Sequence, residues 1–234
     1  MKKLSTILSF VVLVLVISVG ICWYYQPDDK SITKLQVENT SASDTVKVYL
    51  TLNSGADFTN NVNGIFGISS KNKLQGSFNL LPGEIKTYTP KSAFSGNISF
   101  WDPPLNCPYP GTTLYEFTLN NEGTVTNAQE TVDISCVAGV TSIGEISMTG
   151  GGSWTDNVTK GSINSIKNKE IYHNTGISGV FPFGCTNCTN TNGAPDCEGH
   201  PGYADPNNRN LCNVQRNADE SGGTVCISYI RKAL

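Results

Sequence analysis

An all-β fold is predicted here: an antiparallel β-sandwich with a small disulfide-rich loop subdomain inserted before the last strand. Three observations predict it. Short stretches alternate apolar and polar side chains, as a strand with one buried face requires. Clusters of Gly, Pro, Asn and Ser separate them, and nowhere does an apolar 3.6-residue period persist for three turns. Regularly spaced short strands with turn chemistry between them argue for a sandwich or barrel, and the lack of helical crossovers favours antiparallel pairing.

Along the chain, residues 1–26 read as a targeting element. Lys2 and Lys3 form a positive end, and Ile7–Ile21 is apolar except for Ser9, Ser18 and Gly20. That run lies between a signal-peptide core and a membrane span. Three fates fit: cleavage after Gly20, retention as an anchor with Trp23-Tyr24-Tyr25 at the membrane surface, or lipidation at Cys22, which Ile21 disfavours. Each places the remaining chain outside the cytoplasm, secreted or tethered, in an oxidising compartment. A linker over 27–34 leads into a sandwich domain over 35–148.

Val46–Leu52 carries apolar residues at every second position. Further predicted strands are Ile32–Val37, Gly64–Ser69, Glu84–Thr89, Gly96–Trp101, Leu114–Leu119, Glu130–Val137 and Ile143–Met148. Their separators are turns such as Asn53-Ser54-Gly55, Pro82-Gly83 and Asn120-Asn121-Glu122-Gly123. Residues 149–223 differ, opening on Gly150-Gly151-Gly152 with few apolar runs, so a loop of that length needs pins. The strand Thr224–Ile230, within 224–234, then returns to the sandwich.

Composition narrows the function. The chain has 234 residues, only 15% charged, with net charge −3. Without a basic surplus, nucleic acid is excluded as a partner. No membrane contact is expected beyond the N-terminal segment, and the chain is read as a monomer without cofactor or metal.

Outside the export segment stand Cys107, Cys136, Cys185, Cys188, Cys197, Cys212 and Cys226. An odd number leaves one thiol over unless Cys22 joins in. Cys185 and Cys188 have the spacing of a zinc half-site that Cys197 and Cys212 could complete. Export favours the alternative, disulfides that pin the loop.

An ordered series of motifs is similar to thaumatin-like proteins. Ser77-Phe78-Asn79-Leu80-Leu81-Pro82-Gly83, then Ser95-Gly96-Asn97-Ile98 ahead of Cys107, resembles the first half of that family. Thr113–Leu119 resembles its TLAEFTL segment, and Val132–Val140 its DISLVDGFN segment. Val180-Phe181-Pro182-Phe183-Gly184-Cys185 and Gly222-Gly223-Thr224-Val225 match its Cys-rich region and last strand. The resemblance implies a flattened sandwich with a disulfide-rich second lobe, and between the two lobes a cleft that binds β-1,3-glucan. Within that cleft it implies Glu116 and Asp133 as acids. Ala138 stands at the next Asp position and Asn97 at the Arg position. Val37-Glu38-Asn39-Thr40 lacks the early cysteine, so a trimmed lobe is expected. Asp196 and Asp205 are nearby carboxylates without a motif.

Strand parity supports the two acids independently. Tyr115, Phe117 and Leu119 share one face, which puts Glu116 on the other. Val132, Ile134 and Cys136 likewise leave Asp133 on the opposite face. A glycosidase needs two carboxyl groups about 5–5.5 Å apart for retention, or about 6.5–9.5 Å for inversion. Phe66, Trp101, Tyr109 and Trp154 could serve as sugar platforms, or as core. His173 and His200 lack any nucleophile elbow to serve. The leading expectation is a non-catalytic β-glucan-binding module using Glu116, Asp133 and Asn97. The alternatives are an endo-β-1,3-glucanase using the two acids, and an antimicrobial or host-interaction effector on a sandwich scaffold.

Overall fold

Alternation settles where the chain turns inward. In Val46-Lys47-Val48-Tyr49-Leu50-Thr51-Leu52 the four aliphatic residues are buried and the three between them are not. The same parity governs Leu114–Leu119, whose Tyr115, Phe117 and Leu119 enter the core. The computed structural model describes residues 32–53, 62–68, 73–103, 111–121, 129–156, 160–169, 178–181 and 213–233. The predicted export segment, linker start and most of the Cys-rich stretch lie outside them.

Thirteen strands among the described residues form two sheets. They are β1 (Lys34–Asn39), β2 (Val46–Leu52), β3 (Gln75–Leu80), β4 (Ile85–Tyr88), β5 (Phe94–Phe100), β6 (Leu114–Leu119) and β7 (Gln129–Ser135). There follow β8 (Ser142–Thr149), β9 (Thr155–Asp156), β10 (Ser165–Lys167), β11 (Val180–Phe181), β12 (Val214–Asn217) and β13 (Thr224–Lys232). The smaller sheet runs β10-β8-β13-β1-β4 and the larger β3-β2-β5-β6-β7-β12-β9, with β11 added beside β7. The chain is therefore an all-β sandwich of mainly antiparallel strands.

Two pairings depart from the all-antiparallel expectation. β1 runs parallel to β13, and β11 parallel to β7. A parallel pair needs a long crossover. For β1 and β13 the crossover is the domain itself, because they are its first and last strands.

The larger sheet faces the smaller through one side only. Tyr115 reaches across to β8, where its hydroxyl meets Ser142 and would strike a Cβ built on Gly144 at 2.5 Å. Aromatic rings fill the gap: Phe100 packs on Tyr115 and Tyr229, and Phe94 stacks on Phe117. Such ring pairs add about 0.5–1.5 kcal/mol each beyond their buried area.

Three sequence expectations change here. Gly64–Ser69 was expected as a strand, yet Ile65–Gly67 is a 3-10 turn. Gly64, Phe66 and Gly67 all take positive φ, which breaks any pleat. Residues 149–223 were expected as a loop subdomain, but β9, β10, β11 and β12 come from that stretch and join both sheets. Strands of two to four residues are too short to display alternation. Finally, Cys136 and Cys226 carry free thiols where disulfides were expected. Cys136 lies in the core and accepts a 3.5 Å hydrogen bond from the Asn168 amide, while Cys226 stands on β13 beside Glu38 and Ser228. Cys107, Cys185, Cys188, Cys197 and Cys212 fall outside the described residues.

Burial pushes the Cys136 thiol up to about 12, the Asn168 hydrogen bond offsetting part of the rise. Cys226 is raised too, again by burial first. Only the thiolate is nucleophilic. Alkylation with iodoacetamide at pH 8, read by peptide mapping, is expected to leave Cys136 unlabelled until denaturant is added. Cys226, partly open to solvent, should label ahead of it. Equal labelling of both in the native state would contradict this burial.

Candidate functional site

With its apolar side committed to the core, the larger sheet turns a polar face outward. Residues directly opposite on neighbouring antiparallel strands share a face. Register then sets one row across the sheet: Gln75 opposite Thr51, Thr51 opposite Asn97, Asn97 opposite Glu116, and Glu116 opposite Asp133. Asn213, one residue ahead of the Val214–Val132 pair, continues the row beside Asp133. A second row holds Ser95, Thr118 and Thr131, with Ser95 and Thr118 hydrogen-bonded at 3.0 Å. Strands stand about 4.7–4.9 Å apart, so each row is a ladder of polar groups at that spacing. The face borders an open groove of about 720 Å³.

The structure thus brings together Asn97, Glu116 and Asp133, the three residues singled out from sequence. It adds Asn213, which stands before a four-residue strand and had no motif to mark it. The groove lies on the outward face of the larger sheet, at the level of the Glu116–Asp133 pair.

Glu116 and Asp133 are in hydrogen-bond contact with each other. Asp133 is only 8% exposed. Burial raises its carboxyl well above the usual range, and the neighbouring Glu116 charge adds to the rise. Glu116 is raised as well, by burial first, with the hydrogen bond from Asp133 opposing. A protonated Asp133 donating to an ionised Glu116 satisfies both directions, since two adjacent carboxylates cannot both ionise cheaply. Three buried oxygens near this pair find no hydrogen-bond donor: Asp133 Oδ1, Asn97 Oδ1 and Asn213 Oδ1. Buried acceptors without donors are uncommon in folded proteins and cost about 1–3 kcal/mol each.

The aromatic platforms considered from sequence go elsewhere. Phe66 packs on Phe78 and Tyr88, and Trp101 donates its indole N–H to the Tyr229 hydroxyl at 3.0 Å. Trp154 is buried beneath the Arg216 guanidinium, 4.5 Å from its ring centre. None of the three lines the groove. Tyr109, His173, His200, Asp196 and Asp205 lie outside the described residues.

No protein-family model matches the chain, and no curated protein does either. Among solved structures, the chain is similar to the protein elicitor MoHrip2 from Magnaporthe oryzae, at TM-score 0.37 and 11% sequence identity. That alignment covers 84% of this chain and 98% of the other.

Proposed function

We propose that this protein is a non-catalytic binding module that takes a hydroxyl-rich polymer, of β-glucan type, along the outward face of its larger sheet. The observation that carries this reading is the contact between Glu116 and Asp133 within a ladder of uncharged polar groups. Carboxyls in direct hydrogen-bond contact stand closer than the about 5–5.5 Å of a retaining pair, and far closer than an inverting pair. What the face offers is hydrogen bonding: amides, hydroxyls and one carboxylate at regular spacing, suited to sugar hydroxyls. The residues that resemble the thaumatin-like cleft, Asn97, Glu116 and Asp133, stand side by side in that ladder, which supports a divergent thaumatin-like origin. The Lys2-Lys3 start and the apolar Ile7–Ile21 run support secretion or tethering outside the cytoplasm.

Pull-down on insoluble β-1,3-glucan, with reducing ends assayed in parallel on laminarin, tests this. Binding is expected without release of reducing ends, and Glu116→Gln is expected to weaken binding at least about tenfold, the cost of about 1.4 kcal/mol in lost contacts. Reducing ends that vanish in Glu116→Gln would establish the glucanase instead. No retention on glucan by the folded protein would sink the polysaccharide reading and leave the scaffold for a protein partner.

A further inference from the structure

We propose that the Glu116–Asp133 pair, flanked by the amide oxygens of Asn97 and Asn213, is the seat of a hard divalent cation, calcium before magnesium. The inference deepens the binding reading above and rests on the same groove being the functional face.

Two observations converge. The first is chemical composition: this part of the row offers only oxygen, from two carboxyl groups and two amides, and no nitrogen or sulfur ligand stands among the groove residues. Such a set suits calcium or magnesium and disfavours zinc or copper. The second is the unsatisfied state of those oxygens. Asp133 is 8% exposed, and its Oδ1 has no donor. The Asn97 and Asn213 oxygens, on either side of the acid pair, are sealed from solvent and donorless too. Three residues along the row, Asn97, Asp133 and Asn213, therefore present buried acceptors with nothing to accept from.

A cation answers that deficit with fewer groups than hydrogen-bond donors would. Calcium binds oxygen at about 2.3–2.6 Å, so two oxygens on opposite sides of one ion stand about 5 Å apart. That span equals the spacing between neighbouring strands, about 4.7–4.9 Å. An ion that replaces the proton shared by Glu116 and Asp133 thus fits within one strand spacing, the two side chains turning apart while the strands stay in register. Calcium takes six to eight ligands in loose geometry, whereas magnesium demands a near-ideal octahedron and keeps its waters. The open groove over the row supplies the loose arrangement. It also leaves coordination sites for the hydroxyls of a bound sugar.

The test uses the full chain after chelator treatment, titrated with calcium chloride in a calorimeter and followed by thermal melting. Wild type is expected to bind one calcium per chain through this site, with a dissociation constant of about 10⁻⁴–10⁻³ M as in extracellular modules. Glu116→Gln and Asp133→Asn should each weaken it at least tenfold while melting cooperatively, since both substitutions keep side-chain volume and remove charge. No calcium-induced heat or Tm shift up to 10 mM, or calcium binding equal in both variants, would overturn the proposal. Glucan pull-down in chelator separates the two readings. Retention there without any calcium effect keeps the polysaccharide and removes the ion, while calcium binding without glucan retention does the reverse.

Discussion

Arg216→Met is expected to destabilise the protein by about 3–5 kcal/mol, the penalty for stripping one partner from a buried ion pair. For a domain of this size that is a Tm fall of roughly 10 °C. Arg216 and Glu130 are 3% and 0% exposed, and their charged groups approach to 2.6 Å inside the sandwich. The Arg216 Nε also donates to Glu130 at 2.7 Å. Its remaining nitrogens donate to the carbonyls of Gly150, Gly152 and Gly222 and to the Thr33 hydroxyl. Glu130 in turn accepts the backbone N–H of Asn120 at 2.7 Å. Trp154 covers the guanidinium face, a desolvated cation–π contact.

One guanidinium therefore ties β12 to β7, to the residue entering β1 and to the loops after β8 and before β13. Lys at this position would lose the fork that reaches five acceptors at once. Glu130→Gln should cost a similar amount. The double replacement Arg216→Met/Glu130→Met is expected to recover part of either loss, because no uncompensated charge remains. Urea melts of the four proteins check this. A single-variant loss under about 1 kcal/mol, the usual range of exposed pairs, would show that solvent reaches the network.

That clamp was the least legible part of the sequence, although a signal for it existed. Glu130 has the parity of Val132 and Ile134, and Arg216 the parity of Val214, so two opposite charges occupy core positions on strands that pair. Gly150-Gly151-Gly152 looked like the mouth of a loop. In the fold, Gly150 and Gly151 take φ of 72° and 69°, the carbonyls of Gly150 and Gly152 accept from Arg216, and a Cβ on Gly151 would strike that guanidinium.

Elsewhere, legibility followed alternation. β2 and β6 were legible to the residue because each alternates over its full length. β3, Gln75-Gly76-Ser77-Phe78-Asn79-Leu80, is an edge strand with one deeply buried aliphatic residue, so no period marks it. Glu116 and Asp133 were placed on one face by parity alone, and register then put them opposite each other. Asn213 could not be found that way, since its neighbour Asp133 belongs to a strand far away in sequence.

Acidification is expected to stabilise the protein in chelator-containing buffer, and Asp133→Asn to abolish most of that effect. Unfolded, Asp and Glu release their protons near pH 4. Folded, burial raises both Asp133 and Glu116, and Asp133 most, because the Glu116 charge beside it adds to the burial. Between the ordinary carboxylate range and the raised folded value, the folded state holds a proton that the unfolded chain has lost. Stability must then fall as pH rises through that window and level off above it. Tm should accordingly be higher at pH 5 than at pH 8. In Asp133→Asn an amide N–H replaces the titrating proton and donates to Glu116 at every pH. The variant should melt at least about 3 °C above wild type at pH 8, about 1 kcal/mol for a domain of this size. The two proteins should converge as the pH approaches 5. Parallel Tm–pH curves for wild type and variant would mean that the pair holds no shared proton, and that the two side chains point apart in solution.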